Sequence, residues 1–166
     1  MLIEIRSARP SDAEGCAEIL NAWIDATDWM PRCHSRESVA AHFRDDVIAQ
    51  RKVWIAEEGA RMAGFLALDP VGLVTDFYLA EACRGKGLGR RLLNLAKQSS
   101  AHGLSLWTFQ ANHGARTFYS REGFVETRQT DGDNEEGLPD VFLEWHPAAT
   151  DHTRLAAEGL DNEVLR

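Results

Sequence analysis

The sequence lacks an apolar run long enough to cross a membrane. Its longest one, residues 62–68 with Gly64 inside it, falls far short of the roughly 20 residues that a bilayer span requires. Residues 1–6 lack the basic stretch and apolar core of a secretory signal. Cysteine is scarce, and Cys16, Cys33 and Cys83 form no CxxC pair, which argues against a disulfide framework and against a zinc site. We therefore expect a cytoplasmic protein with reduced thiols.

Basic side chains are scarce relative to acidic ones. The 166 residues carry 18 lysines and arginines against 26 aspartates and glutamates, for a formal net charge of −8. Residues 126–166 hold 11 of the acidic side chains and 3 of the basic ones. Nucleic acids are bound through a basic face, so we expect no nucleic-acid partner. Residues 84–91 are the exception, because four cations and three glycines without an acid suit a small phosphorylated ligand.

The pattern of apolar residues is that of a single mixed α/β domain. Hydrophobic residues make up 44% of the chain and charged residues 27%, as in an ordinary globular domain. Apolar runs predict strands near 3–5 and at 53–56, 62–68, 73–79, 104–109, 124–128 and 141–145. Helical spacing predicts helices after Ser11, after Ser35, from residue 84 to Gly103, and over 115–122. Ser11 with Glu14 is a predicted capping box.

The segment most informative about function is Arg84-Gly85-Lys86-Gly87-Leu88-Gly89, which follows a predicted strand and begins a predicted helix. Glycines let backbone N–H groups approach an anion, and the helix dipole adds to that attraction. The segment is not a Walker loop, because glycine rather than Ser or Thr follows its lysine, and its spacing is not a dinucleotide fingerprint. It predicts a pyrophosphate site, and a flexible basic helix start is the equal alternative.

Arg84-x-x-Gly87-x-Gly89 resembles the Q/R-x-x-G-x-G/A signature of the GNAT superfamily of acyl-CoA-dependent N-acetyltransferases. The order of predicted elements agrees with that family over residues 3–145. Further matches at the family's usual spacing are Asn112, Ala115, Phe118-Tyr119 and Gly123-Phe124. The resemblance implies an α/β domain over residues 1–146, with about four helices around a mostly antiparallel sheet of six to seven strands. The sheet would open in a V between its fourth and fifth strands, and residues 147–166 would form a tail or short helix.

The resemblance also implies acetyl-CoA as co-substrate. In the family the signature loop holds the CoA pyrophosphate, and the preceding strand pairs its backbone with pantetheine. The positions that match are Phe77, Tyr78, Leu79, Arg84, Gly85, Lys86, Gly87, Leu88, Gly89, Arg90, Asn112, Ala115 and Phe118. Asn112 also qualifies as a helix cap, and the two roles are compatible.

The chemistry of a thioester decides which catalytic groups are needed. An amine can attack it directly, so the reaction needs a neutral amine and a proton for the leaving thiolate but no enzyme nucleophile. Tyr119 resembles the family's thiolate proton donor, and a core aromatic is the alternative. Some family members carry a glutamate base where this chain has Trp107. Asp76 is the best remaining carboxylate for a base, with a charge that faces water as its alternative.

The acceptor is expected to meet two loops. Trp29 lies in a loop beside Met30-Pro31, where no helical stripe explains it. Glu135 and Glu136 would attract a cationic amine or act through water, with a solvated acidic loop as the alternative. A calcium loop starting at Asp131 is excluded, since its glycine and glutamate positions are not filled, and we expect no metal.

The sequence thus predicts N-acetylation of a primary amine on a small molecule or a protein. The alternative is a non-catalytic acyl-CoA-binding sensor or interaction module, which the missing glutamate favours and Tyr119 disfavours. A free strand edge also allows a homodimer.

Overall fold

The computed structural model describes residues 2–148, in which seven strands and four longer helices follow one another in the predicted order. The strands are β1 Ile3–Ser7, β2 Lys52–Glu58, β3 Arg61–Leu68, β4 Val74–Leu79, β5 Leu104–Phe109, β6 Val125–Thr130 and β7 Asp140–Trp145. The helices are α1 Ala13–Ala26, α2 Arg36–His42, α3 Leu88–Ser99 and α4 His113–Arg121, with α2 continued by a π-helical turn over Phe43–Val47. None of the helices in residues 2–148 is long and apolar enough to traverse a bilayer. The predicted tail over 147–166 lies outside the described residues, apart from its first two.

The strands form two antiparallel sheets, in the orders β1-β2-β3-β4 and β5-β7-β6. The sheets meet where Leu73 and Ser105 form a parallel bridge, and the Ser105 N–H donates to the Gly72 carbonyl at 3.0 Å. Past this bridge β4 pairs with β3 alone, so a V opens between β4 and β5. A bulge at Ala67/Leu68 in the β3–β4 pair adds local twist. The expected fold is confirmed, with its sheet divided at the V.

Helices cover both faces of β3, so its residues 63–68 are all buried. Phe65 packs with Phe43 in the core beneath α1 and α2, whereas Leu66 packs with Leu92 in the core beneath α3. Side chains alternate in the same way along β4. Tyr78 therefore packs on the α1–α2 side, and Phe77 on the α3 side.

The two predicted helix starts have different outcomes. Ser35 caps α2, because its Oγ accepts the Ser38 N–H at 3.1 Å. The predicted capping box of Ser11 and Glu14 is wrong, since residues 10–12 form a 3-10 turn before α1. There the Asp12 carboxylate accepts the Arg9 N–H at 2.6 Å and pairs with Arg6 at 2.8 Å. Arg6 on β1 thus holds Asp12 at the start of the helix, where the local pattern predicted a serine cap.

Candidate active site

The signature segment forms an open loop that ends in the first turn of α3. Gly85 and Gly87 have φ values of 71° and 82°, in the left-handed region where residues with a Cβ are strained. Gly87 is the residue before α3, and no atom lies within 4 Å of where a Cβ would stand on either glycine. The loop therefore presents bare backbone at the positive end of the α3 dipole, which is the arrangement that binds phosphate.

The other signature residues divide between core and surface. Leu88 is buried among the α3 core residues, so only its backbone N–H is available to a ligand. Gly89 lies against α4, because a Cβ there would be 3.3 Å from the Phe118 ring. The Arg84 Nε donates to the Leu79 carbonyl at 3.2 Å, and the Arg90 Nε donates to Glu122 at 2.8 Å. Lys86 is exposed.

A cavity of about 420 Å³, the inner cavity, occupies the V beside this loop. Its walls are Trp23, Phe77, Tyr78, Leu79, Arg84, Gly85, Gly89, Asn112, Gly114, Ala115, Phe118 and Tyr119. A second cavity of about 770 Å³, the outer cavity, shares Leu79, Gly85, Gly89, Gly114 and Phe118 with it. Most of the positions predicted to contact a cofactor thus meet in one continuous cleft, although they come from β4, the signature loop and α4.

Tyr119 presents a phenol to the inner cavity. Its residue is 8% exposed, and its ring packs on Phe118 at 5.3 Å and on Phe124 at 5.4 Å between centroids. No group within residues 2–148 makes a hydrogen bond with its hydroxyl. Every fully buried polar side-chain atom in those residues has a hydrogen-bond partner, so this unpartnered oxygen is accessible from outside the protein. The hydroxyl therefore faces the cavity. Burial raises the pKa of Tyr119, so the phenol keeps the proton that an acid must donate.

Asn112 caps α4 as predicted, because its Oδ1 accepts the Ala115 N–H at 3.1 Å. The same residue lines the inner cavity. The cap fixes the first turn of α4, which carries Gly114 and Ala115 into the cavity wall. Contact between the Asn112 amide and a cofactor stays a prediction.

Asp76 lies on a buried part of β4 and not on a water-facing edge. Its side chain is 12% exposed, and its Oδ2 accepts from Thr75 Oγ1 at 2.9 Å and from Arg51 Nη1 at 3.3 Å. Arg51 Nη2 also donates to Asp46 at 2.7 Å. Burial raises the pKa of Asp76, while the Thr75 hydrogen bond and the Arg51 charge oppose that rise. A carboxyl with a raised pKa accepts a proton more readily than an ordinary aspartate.

Asp76 opens into a third cavity of about 520 Å³, the side cavity, between the two loops expected to meet an acceptor. The further walls are Leu20, Ile24, Met30, Pro31, Cys33, His34, Ser38, Val39, His42, Thr75, Tyr78, Glu135 and Glu136. Both predicted glutamates belong to this lining, together with apolar side chains such as Leu20, Ile24 and Val39. Trp29 is not among these side chains, because it packs between Trp23 at 5.8 Å and Phe109 at 5.7 Å.

Several site residues were not anticipated from the sequence. Thr117 and Arg121 line the outer cavity from α4. Their spacing from Gly114 and Phe118, three and four residues apart, would have placed them on one helix face. Arg51 carries no comparable signal, because its contact with Asp76 joins positions 25 residues apart.

Trp107 occupies the position where a glutamate base was considered. It is 42% exposed, and its ring lies 4.9 Å from Phe142 and 5.4 Å from the Arg128 guanidinium. It lines neither the inner nor the side cavity. Strand β5 therefore offers no carboxylate at this position, and Asp76 is the buried carboxylate on the side cavity.

Comparison with known proteins finds similarity to one family. The sequence model of the GNAT acetyltransferase domain matches residues 49–126, which contain β4, the signature loop and α4. Over this segment the chain is similar to the GNAT acetyltransferases. The chain is 26% identical to the peptidyl-lysine N-acetyltransferase YiaC of Escherichia coli over 147 residues, 85% of this chain and 95% of that protein.

Solved structures share the fold of this chain. The solution structure of YjaB from Escherichia coli, at 25% identity, gives a TM-score of 0.71 and covers 89% of this chain and all of that one. YncA from Salmonella typhimurium, solved with its cofactor acetyl-CoA, gives a TM-score of 0.69 at 22% identity. That match covers 90% of this chain and 99% of YncA.

Proposed function

We propose that this protein transfers the acetyl group of acetyl-CoA to a primary amine by direct attack within a ternary complex. The observation that carries the proposal is the Tyr119 hydroxyl, which faces the inner cavity and has no hydrogen-bond partner among residues 2–148. The bare backbone of Gly85 opens on the same cavity. One cleft thus offers an anion site at one end and a proton donor at the other.

The residues of the cleft fit acetyl-CoA. The loop N–H groups and Arg90 would hold the pyrophosphate. The free edge of β4 at residues 77–79 would pair with the pantetheine amides, because within residues 2–148 that edge has no strand partner past the Leu73–Ser105 bridge. Arg121 adds a further cation to the outer cavity. Bound acetyl-CoA supplies an activated thioester, so the protein needs no nucleophile of its own.

The proposed proton transfers use residues on the two sides of β4. Asp76 takes a proton from the acceptor nitrogen, which forms a C–N bond to the acyl carbon as the C–S bond breaks. The electron pair of the C–S bond stays on sulfur, and Tyr119 donates a proton to it. Solvent then returns a proton to Tyr119, and Asp76 releases its proton to solvent. The net products are an amide and free CoA.

The side cavity supports an alkylamine acceptor. Its apolar side chains suit an aliphatic stem, and its two glutamates attract a cation. The relative YiaC acts on peptidyl-lysine by its name, and a lysine side chain has both properties. We therefore place lysine and simple alkylamines first among the acceptors to be tested.

Calorimetric titration with acetyl-CoA, followed by thiol release against amines and lysine peptides, tests the proposal. We expect binding together with amine-dependent release of CoA, and both should be lost in Gly87→Asp. Binding without release on any amine would support the sensor alternative. Failure to bind acetyl-CoA would overturn the proposed site.

A further inference from the structure

The chain contains two tyrosines, Tyr78 and Tyr119. Both line the inner cavity, Tyr78 from β4 and Tyr119 from α4. Tyr78 also lines the side cavity, and no other residue belongs to both sets of walls. Tyr78 therefore lies between the cavity proposed for the acceptor and the cavity proposed for the thioester.

Neighbouring aromatic rings fix the Tyr78 ring at this junction. Trp23 lies 5.6 Å from it and Phe65 lies 5.9 Å from it, between ring centroids. The same face of β4 carries Asp76, two residues earlier. No group in the described part of the chain makes a hydrogen bond with the Tyr78 hydroxyl. Because every fully buried polar side-chain atom there has a partner, the Tyr78 oxygen is accessible to a ligand. The ring is held in place while its hydroxyl is left for a ligand.

The charges around Tyr78 keep its phenol neutral. Burial raises the pKa of Tyr78, and the negative charges of Asp76 and Glu136 raise it further. A neutral phenol can accept a hydrogen bond from an amine N–H. Because attack on the thioester places positive charge on nitrogen, this hydrogen bond becomes stronger as the reaction proceeds.

We propose that Tyr78 positions the attacking nitrogen, with its hydroxyl oxygen accepting a hydrogen bond from the acceptor amine at the junction of the side and inner cavities. This inference rests on the proposed function and adds a residue role to it. It also defines the acceptor more narrowly. The aliphatic walls at Leu20, Ile24 and Val39 and the aromatic ring at the junction favour an amine on an unbranched methylene chain.

Two measurements on the intact protein test the role of Tyr78. In the first, tyrosine labelled with ¹³C at Cζ gives two NMR signals, assigned by Tyr78→Phe and Tyr119→Phe. With CoA present, titration with n-pentylamine should shift the Tyr78 signal and leave the Tyr119 signal nearly unchanged. In the second, kcat and KM for the amine are measured in Tyr78→Phe beside acetyl-CoA affinity.

Tyr78→Phe should lower kcat/KM for the amine about ten- to a hundredfold, the range for a hydrogen bond to a charged group. Acetyl-CoA affinity should stay within about twofold, because the backbone of β4 is unchanged. Tyr119→Phe is the matched control, since it removes the other hydroxyl of the same cavity and should leave n-pentylamine affinity for the CoA complex unaltered.

The outcomes separate this inference from the proposed function. Unchanged kcat/KM in Tyr78→Phe, or a Tyr78 signal that stays fixed at saturating n-pentylamine, would overturn the role of Tyr78 alone. Amine-dependent shifts without CoA release on any amine would overturn the proposed transfer while supporting an amine contact at Tyr78.

Discussion

His34 and Glu135 lie 101 residues apart in the sequence, yet the His34 Nε2 is 2.9 Å from both carboxylate oxygens of Glu135. The pair joins the loop after α1 to the loop between β6 and β7, across the side cavity. Both side chains are more than half exposed. Such a pair adds little stability, but it places a negative charge on the wall of the side cavity.

Glu135→Gln should raise KM for a cationic acceptor by about two- to fivefold, the range of an exposed charge contact. Acetyl-CoA affinity should be unaffected, because Glu135 lines neither the inner nor the outer cavity. Steady-state kinetics with the amine varied checks this. Glu4→Gln is the control, since it removes the same charge from an exposed site on β1. An equal change in both variants would show a general charge effect and no role for the pair.

Gly87→Asp should abolish acetyl-CoA binding, because a carboxylate would stand beside the loop N–H groups that we propose hold the pyrophosphate. Gly87→Asn has nearly the same size and tolerates the left-handed φ of 82° equally well. Calorimetry should therefore show a much smaller loss for Asn than for Asp, while the two variants unfold at similar temperatures. Equal affinity in the two variants would argue against an anion at this loop.

Tyr119→Phe should lower kcat by about a hundredfold, within the range for loss of a general acid, with acetyl-CoA affinity nearly unchanged. Its ring contacts with Phe118 and Phe124 do not involve the hydroxyl, so the fold should be kept. Thiol release at saturating substrates checks the change in kcat. An unaltered kcat would remove Tyr119 as the proton donor.

Ionisation of Asp76 should determine the acidic limb of the pH profile of kcat/KM. Burial raises the pKa of Asp76, and an ionised base is needed, so kcat/KM should fall on acidification at a pH above the ordinary aspartate range of about 4. Asp76→Asn should lower the rate and flatten this limb. A limb that keeps its position in Asp76→Asn would assign it to another group.

Asp46→Asn provides a second variant on the same network. Asp46 shares Arg51 with Asp76, and its negative charge also raises the pKa of Asp76. Removing that charge should therefore shift the acidic limb to lower pH. The direction of this shift distinguishes a base at Asp76 from a merely structural ion pair.

A partly buried ion cluster joins β1, β2 and the turn before α1. It consists of Arg6, Asp12 and Glu57. Hydrogen bonds from Arg6 lower the pKa of Asp12 in the folded state. The stabilising effect is therefore complete above the unfolded pKa and is lost as the pH falls through the lower folded value. Asp12→Asn should reduce the free energy of unfolding by about 1–3 kcal/mol at pH 7.

Denaturant unfolding at several pH values checks this prediction. The difference between wild type and Asp12→Asn should narrow below about pH 4. Asp45→Asn is the control, because its Arg44 pair is exposed and should contribute little. A difference that persists unchanged at low pH would indicate a packing effect in place of an ionic one.

Local sequence patterns predicted most of the fold. The period-two run at 104–109 gave both ends of β5, and the serine cap placed the start of α2. The signature glycines predicted an anion loop, which the positive φ values of Gly85 and Gly87 match. These features depend on interactions within a few residues, so a single sequence contains them.

The capping box and Trp29 show where such reasoning stops. The position of Asp12 is set by its contact with Arg6 on β1, and the position of Trp29 is set by its contacts with Trp23 and Phe109. In both cases a partner distant in the chain or on another element decides the conformation. A local sequence pattern contains no information about that partner.

The sequence by itself determined the order of elements, the glycine-rich loop and the family signature, because each depends on neighbouring residues. Only the tertiary structure decided that Arg51 supports Asp76, that His34 meets Glu135, and that Tyr78 stands between two cavities. The physical reason is that strand pairing and helix packing bring together side chains tens of residues apart. The burial of these side chains and the contacts between them form only when the chain has folded.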